Sequence, residues 1–245
     1  MGLWAYTKQE IVTFEDNVYM VLEPSGVNAS LMFLGTKKKG ELKIPAKVSD
    51  AQGIEFTVTE VGYRAPHNCQ DVTSVQLPGT ITKLHNDCFK DAKLKEINIP
   101  KSVTEISDNT WSAIKEVPKC KVDINNAKFE SDSDGALYTK GKKELRCIPS
   151  RLMEEKGKDT YTVDNSVKKI CINAFHNIYK LKTVVLPKDL EEVQERYPSI
   201  AVGTDLEKFE MPNNGNDNIE VKDGVLFNKN LSPRFKKRRN SVNDL

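Results

Sequence analysis

Apolar residues recur along this chain with a period of 22 residues. When residues 72–92 and 94–114 are aligned at that offset, an apolar residue meets an apolar residue at seven positions. The matched pairs are Val72 with Leu94, Val75 with Ile97, Leu77 with Ile99, Pro78 with Pro100, Ile81 with Val103, Leu84 with Ile106 and Phe89 with Trp111. The same order returns between Val163 and Leu186. This period predicts a chain built from repeated structural units.

Each unit predicts a short β-strand that ends in a turn. Apolar and polar residues alternate in Val75-Gln76-Leu77, as on a strand whose every second side chain points to the same face. Proline follows at positions 78, 100 and 187, and it has no amide hydrogen to continue a ladder. A unit of this length cannot bury its own apolar face, so the copies are predicted to stack with their strands parallel around one shared core.

The unit resembles the BspA-type leucine-rich repeat. The resemblance rests on the segment from Leu94 to Ile106, on Ala174-Phe175, and on Cys69 at the position of the family's cysteine. Convincing matches cover residues 58–114 and 163–193, with weaker fragments outside them. Three positions depart from the pattern: Pro66 replaces an aromatic residue, Cys88 replaces an alanine, and only Gly62 keeps the glycine after the second apolar position.

This resemblance implies both a fold and a function. The implied fold is a β-rich leucine-rich-repeat solenoid with parallel strands in repeats of about 22 residues and a short helical or irregular convex side. Members of this family are mostly exported or surface-attached bacterial proteins that bind host or matrix components. The resemblance therefore implies an extracellular or cell-surface location and an adhesin-like role toward a protein or an extracellular-matrix ligand, without identifying that ligand.

Segments outside the clear repeats predict a cap and two insertions. Residues 1–40 contain strand-like runs that predict an amino-terminal β cap over the open end of the solenoid, and a separate small β domain is the alternative. The solenoid is expected over residues 41–228. It is predicted to contain β-hairpin insertions at about 120–162 and 213–228, because each range holds an Asp-Gly pair before an apolar run. The polar residues 151–160 predict an exposed loop.

Positive charge is concentrated at the carboxyl terminus. Residues 229–245 hold six lysines and arginines and one acid, so of the net charge of +2 this tail carries +5 and the body −3. An acidic body lacks the broad positive field of nucleic-acid binding proteins, so no nucleic-acid partner is expected. The tail is interpreted as a disordered terminus, and binding to phosphate groups or an anionic membrane is the alternative. We expect no membrane span, and no export signal is visible at the start of the sequence.

The cysteines and histidines offer little material for catalysis. The five cysteines have no tight pairing motif and are interpreted as small core residues. His67-x-Cys69 and His85-x-x-Cys88 combine ligand types that zinc accepts, but the spacing matches no compact zinc module. With only three histidines and no nucleophile set beside a base, we expect no catalytic site, no bound metal and no cofactor.

Polar residues that alternate with core residues on the predicted strands form a candidate binding face. These residues are Ser74, Gln76, Glu96, Asn98, Thr183 and Val185. Parallel strands spaced by about 4.8 Å would arrange them as a ladder of side chains. The alternative is that this face is merely the solvent side of a sheet. We therefore expect a non-catalytic binding module, with a passive structural spacer as the second interpretation and an enzyme of unknown type as the last.

Overall fold

The computed structural model describes residues 6–63, 69–194 and 201–229. The chain divides into two compact units, Met1–Phe129 and Glu130–Leu245. Each unit is rich in β-strands that pair mainly in parallel, as predicted for a leucine-rich-repeat solenoid. Three features of the sequence lie outside the described residues: Pro66, His67 and the basic tail from residue 230 onward.

Unit 1 contains two series of parallel strands. Its strands are β1 (Ile11–Phe14), β2 (Asn17–Glu23), β3 (Ser30–Thr36), β4 (Gly40–Lys43), β5 (Lys47–Ser49), β6 (Glu55–Val61), β7 (Val72–Gln76), β8 (Lys83–Leu84), β9 (Glu96–Ile99), β10 (Glu105–Ile106) and β11 (Lys119–Val122). The first ladder consists of two separate parallel pairs, β4 with β7 and β9 with β11. The second ladder joins β3, β6, β8 and β10. The repeat period therefore produces two parallel strands per turn.

The amino-terminal strands of unit 1 share a sheet with the repeats. Strands β1, β2 and β3 pair in antiparallel fashion, and β3 then pairs in parallel with β6. Strand β5 adds an antiparallel partner on β6. This shared sheet supports the interpretation of the first strands as a cap, while the boundary at residue 40 stays a prediction.

Unit 2 repeats the arrangement of two parallel ladders. Its elements are β12 (Phe129–Ser131), β13 (Leu137–Thr139), β14 (Glu144–Cys147), α1 (Leu152–Lys156), β15 (Thr160–Thr162), β16 (Lys169–Ile170), β17 (Thr183–Val185), β18 (Glu192–Val193), β19 (Lys208–Glu210), β20 (Ile219–Lys222) and β21 (Val225–Asn228), with 3₁₀ turns at Lys140–Lys142 and Pro212–Asn214. Strands β15, β17 and β19 form its first ladder. Strands β14, β16 and β18 form its second ladder.

The prolines after the strands each begin a tight turn. The carbonyl oxygen of Pro78 accepts a hydrogen bond from the amide of Ile81 at 3.1 Å. The equivalent bond joins Pro100 to the amide of Val103 at 3.2 Å. Because proline fixes its own φ angle and cannot extend the ladder, it directs the chain from the first strand of a turn toward the second.

The second side of each turn is short and largely irregular, as predicted, but it also contains a strand that was not predicted. It carries a two-residue strand, as in β8 and β10 of unit 1 and β16 and β18 of unit 2. Only a few residues separate the proline turn from the next turn, and an isolated helix needs far more residues to offset its nucleation cost. A short parallel strand satisfies the same backbone groups by pairing with neighbouring turns.

The predicted insertion ranges 120–162 and 213–228 contain antiparallel hairpins, and the first range also contains strands of the parallel ladders. Strand β11 pairs in parallel with β9, and β15 pairs in parallel with β17, so both belong to the ladders. The remaining hairpins are antiparallel. In the hairpin β20–β21, Asp223 and Gly224 have φ angles of 53° and 77°, which suits the two-residue turn that favours Asp-Gly. The predicted loop 151–160 also contains helix α1, which buries Leu152 and Met153.

A buried asparagine fastens a turn in unit 1. The Nδ2 atom of Asn126 donates hydrogen bonds to the carbonyl oxygens of Pro100 at 3.0 Å and Val103 at 2.9 Å. Its Oδ1 atom accepts the amides of Lys128 and Phe129, both at 2.8 Å. All four hydrogen-bonding positions of this amide are therefore used.

Asn216 makes four similar hydrogen bonds in unit 2. Its Nδ2 atom donates to the carbonyl oxygens of Lys188 and Leu190, both at 2.8 Å. Its Oδ1 atom accepts the amides of Asn218 at 2.8 Å and Ile219 at 2.9 Å. In both units the bond acceptors belong to the turn that a strand-ending proline begins, so the asparagine ties the following segment to that turn.

Charged side chains on the second ladder alternate in sign. Glu60, Lys83 and Glu105 occupy one register position in unit 1. Glu144, Lys169 and Glu192 occupy the corresponding position in unit 2. Nζ of Lys83 lies 2.8 Å from Glu105, and Nζ of Lys169 lies 3.4 Å from Glu192. Alternation avoids the repulsion that like charges on directly opposed strand positions would produce.

The cysteines belong to the cores, and this burial predicts their reactivity. Cys69, Cys88, Cys120, Cys147 and Cys171 are all free and buried. Burial raises the pKa of Cys69 to about 11 and holds the pKa of Cys88 well above its ordinary value. Because the thiolate is the reactive form, we expect the native thiols to resist an aromatic disulfide reagent at mildly alkaline pH. All five should react in guanidinium, and rapid reaction of the native protein would contradict this assignment.

Candidate functional site

The outward positions of the first ladder in unit 1 form a polar surface. Val75 and Ile97 point into the core, whereas the alternating residues Ser74, Gln76, Glu96 and Asn98 are exposed. Strand register extends this set to both sides. We call the eight outward residues together the unit 1 face: Glu41, Lys43, Ser74, Gln76, Glu96, Asn98, Lys119 and Lys121.

Four of the predicted site residues thus occupy the face expected from the sequence. Lys43 aligns with Gln76 on the neighbouring strand, and Lys121 aligns with Asn98. These lysines were not among the predicted site residues. The strand-proline pattern Leu42-Lys43-Ile44-Pro45 was the signal that would have found Lys43. Lys121 lacked that signal, because no proline follows its strand.

Hydrogen bonds and ion pairs already engage both acids of the unit 1 face. The Nε2 atom of Gln76 donates to Oε1 of Glu41 at 2.6 Å. Nζ of Lys121 lies 2.8 Å from Oε2 of Glu96, with the lysine side chain 59% exposed. Exposed pairs of this kind contribute little to stability, and a ligand with an acidic group would have to compete with Glu96 for Lys121.

The corresponding surface of unit 2 is less polar and more enclosed. We call its outward residues the unit 2 face: Thr160, Thr162, Thr183, Val185, Lys208 and Glu210. Thr183 was predicted to point to solvent, but it is only 8% exposed, and Val185 is half-buried. Thr183 lies on the central strand, with Thr160 and Lys208 in register on either side, so little of its side chain remains accessible.

An internal ion pair occupies the edge of the unit 2 face. Nζ of Lys208 lies 2.6 Å from Oε1 of Glu210 on the same strand. The hydrogen bond to this carboxylate raises the pKa of Lys208 above its ordinary value. A ligand with an acidic group would have to compete with Glu210 for this lysine.

The His85 and Cys88 pair does not form a metal site in this structure. A ring nitrogen of His85 lies 2.5 Å from Oε2 of Glu60, which fixes the imidazole in the second ladder. Cys88 is buried, and burial favours its neutral thiol over the thiolate that zinc binds. Within residues 6–63, 69–194 and 201–229, no three histidine, cysteine or acidic side chains are grouped to hold a metal ion.

Comparison with known families identifies the repeats. The model of the BspA-type leucine-rich repeat region matches residues 45–138 and 138–229, with six copies. The chain belongs to the BspA-type leucine-rich repeat family. No curated protein matches the sequence. In the part of this BspA-type protein that the structure describes, no helix has the length and apolar character needed to cross a membrane.

Several solved structures resemble this BspA-type protein. The pneumococcal vaccine antigen PcpA is 17% identical, with a TM-score of 0.46 over 84% of this chain and 71% of that protein. A leucine-rich repeat protein from Eubacterium ventriosum is 15% identical, with a TM-score of 0.44 over 81% of this chain and 70% of its own. A leucine-rich cell surface protein from Faecalibacterium prausnitzii is 13% identical, with a TM-score of 0.41 over 83% of this chain and 77% of its own.

Proposed function

We propose that this BspA-type protein is a non-catalytic binding module that acts outside the cell or on its surface. Its partner is a protein or a component of the extracellular matrix. The observation that carries the proposal is the register of two exposed amides with two exposed lysines on the strands of unit 1. Gln76 lies opposite Lys43, and Asn98 lies opposite Lys121. Repeat proteins commonly use such stacked positions for recognition, since the scaffold holds many side chains in one plane.

Family membership supports this proposal over catalysis. The repeats account for residues 45–229, and the side chains of the unit 1 face contain no nucleophile set beside a base. The second candidate is a passive structural spacer, which the internally paired charges of the unit 2 face favour. The two candidates differ in whether a saturable ligand exists.

The test removes both central amides of the unit 1 face. We expect the double variant Gln76→Ala and Asn98→Ala to bind an extracellular-matrix protein or glycan panel at least about tenfold more weakly than the parent, a loss of about 1.4 kcal/mol. Biolayer interferometry with the immobilised full chain would measure this. Truncation removes the hydrogen-bonding groups from two exposed strand positions without disturbing the core.

A matched control removes the same chemistry elsewhere in unit 1. Gln52 and Asn125 are exposed, and only their backbone amides bond to neighbouring side chains. The double variant Gln52→Ala and Asn125→Ala should therefore bind like the parent. If no component of the panel bound saturably, the spacer would be favoured. If both double variants bound with equal affinity, the unit 1 face would not be the binding surface.

A further inference from the structure

Strand β21 is an edge strand that carries half-buried apolar residues. Among the residues that the structure describes, β21 pairs only with β20. Val225, Leu226 and Phe227 follow one another on this strand, and each keeps part of its side chain exposed. Natural edge strands are usually protected from further pairing by lysine, proline or a bulge. These three residues contain neither lysine nor proline, and their register with β20 is regular.

Strand β13 shows how a similar edge is covered within unit 2. The hairpin β12–β13 begins three residues after Asn126, and the hairpin β20–β21 begins three residues after Asn216. Strand β14 pairs with β13 in antiparallel fashion. Under this cover Leu137 is 0% exposed and Tyr138 is 1% exposed. The exposure of β21 is therefore that of a strand whose antiparallel partner is missing among the described residues.

Packing against unit 2 holds β21 ready for a partner. The amide of Phe209 on β19 donates to the carbonyl oxygen of Gly224 at 2.8 Å, at the tip of the hairpin. A Cβ atom on Gly224 would lie 2.8 Å from Cβ of Lys208, so the backbones approach closely here. Leu226 packs against the core of the unit. A strand that is already extended and fixed loses less entropy when another strand pairs with it.

The phase of the hairpin shows which backbone groups of β21 face outward. The amide of Lys229 donates to the carbonyl oxygen of Asn218 at 2.8 Å. Hydrogen-bonded and non-hydrogen-bonded pairs alternate along an antiparallel ladder. Counting back from Lys229 in the observed register, Phe227 and Val225 also turn their backbone groups toward β20. The amide and carbonyl groups of Leu226 therefore point to the open edge.

A second copy of the chain offers a matching edge. In a two-fold contact between identical chains, residue i lies opposite residue j and residue j lies opposite residue i. Antiparallel pairing centred on Leu226 would join its outward amide and carbonyl groups to those of Leu226 of the second copy. Val225 would then lie opposite Phe227, twice by symmetry. Centring the pairing one or two residues further along would set Val225 or Phe227 against Lys229 instead.

Charged residues at the two ends of β21 favour the same register. Pairing centred on Leu226 brings Asp223 of one copy beside Lys229 of the other, again twice. Asp223 has no ion-pair partner among the described residues. Nζ of Lys229 lies 2.6 Å from the carbonyl oxygen of Asn216, a neutral acceptor that leaves its charge uncompensated. Opposite charges on facing strand positions are favourable, so the edge is complementary to itself.

We propose that two copies of this chain pair through β21, antiparallel and centred on Leu226, to form a four-stranded sheet. The proposal goes beyond the proposed function, because it does not depend on what the unit 1 face binds. Each copy contributes a strand of four residues. This contact is smaller than a standard protein interface, so the dimer is weak and depends on concentration.

Sedimentation velocity of the full chain at increasing concentration tests the pairing. The parent should shift from monomer toward dimer as its concentration rises. Phe227→Lys puts a lysine opposite Val225 and should weaken dimerisation at least about tenfold, since charge on an edge strand opposes pairing. Ile124→Lys adds the same charge at an apolar residue of unit 1 that is 85% exposed, and it should dimerise like the parent. Circular dichroism checks that each variant is folded.

A charge exchange tests the register without changing the apolar residues. Lys229→Asp sets an acid beside Asp223 of the other copy and should weaken dimerisation about fivefold. Combining Lys229→Asp with Asp223→Lys restores opposite charges and should recover the affinity of the parent. A monomer at every concentration would assign the edge of β21 to another segment of chain and overturn the proposal. Equal weakening by Ile124→Lys, or no recovery in the charge exchange, would also overturn it.

Discussion

Replacing Phe175 with alanine is expected to lower the free energy of unfolding by about 3–5 kcal/mol, the usual cost of emptying a phenylalanine site in a packed core. Phe175 is fully buried in unit 2, and its ring meets that of Tyr161 edge-on at 6.1 Å between centroids. Its neighbours belong to several turns, so they cannot all close on the resulting cavity. Urea unfolding followed by circular dichroism would measure the change.

Ile124 provides the control for Phe175. It is a large apolar residue that is 85% exposed, so Ile124→Ala removes little buried surface. We expect a change within about 0.5 kcal/mol, which is typical of surface positions. A loss below about 1 kcal/mol for Phe175→Ala would show that the aromatic residue of the repeat is not the core element described here.

The second large effect is expected at Asn126, which is 1% exposed and makes four hydrogen bonds to the backbone. Asn126→Ala leaves buried carbonyl and amide groups without their partner. The expected loss of unfolding free energy is about 2–4 kcal/mol, because each buried group left unsatisfied costs about 1–3 kcal/mol and some regain water. Chemical denaturation of the parent and variant would measure it.

Two further variants separate the hydrogen bonds of Asn126 from its size. Asn126→Asp keeps acceptors for the amides of Lys128 and Phe129 but loses the donors to Pro100 and Val103, so it should also destabilise the protein. Lys128→Ala changes only an exposed side chain beside it. If Asn126→Ala cost no more than Lys128→Ala, the asparagine would not fasten this turn.

The sequence predicted the first ladder because its signal is local. Alternation around Val75 and Ile97 marks the strands, and the prolines after them begin the observed turns. The second ladder was not predicted, because a strand of two residues such as Lys83–Leu84 is too short to alternate. Its pairing is visible only when neighbouring turns are placed side by side.

The burial of one predicted site residue could not be predicted for a similar reason. Alternation assigned Thr183 to the outward side, but the sequence could not show how far neighbouring strands would cover it. The two asparagines share a local spacing in the sequence. Asn126 precedes Phe129 by three residues, and Asn216 precedes Ile219 by the same distance. Aligning the ends of the two units would have indicated a shared structural role.

The alternating charges of the second ladder restrict how the repeat array can grow. Glu60, Lys83 and Glu105 come from three successive turns, each supplying one charge at the shared position. Duplicating a single turn would place two glutamates or two lysines against each other, whereas duplicating two adjacent turns together would preserve the order of signs. Gene rearrangements that lengthen this chain would therefore be tolerated best when they copy turns in pairs, or when a charge-reversing substitution accompanies a single copy.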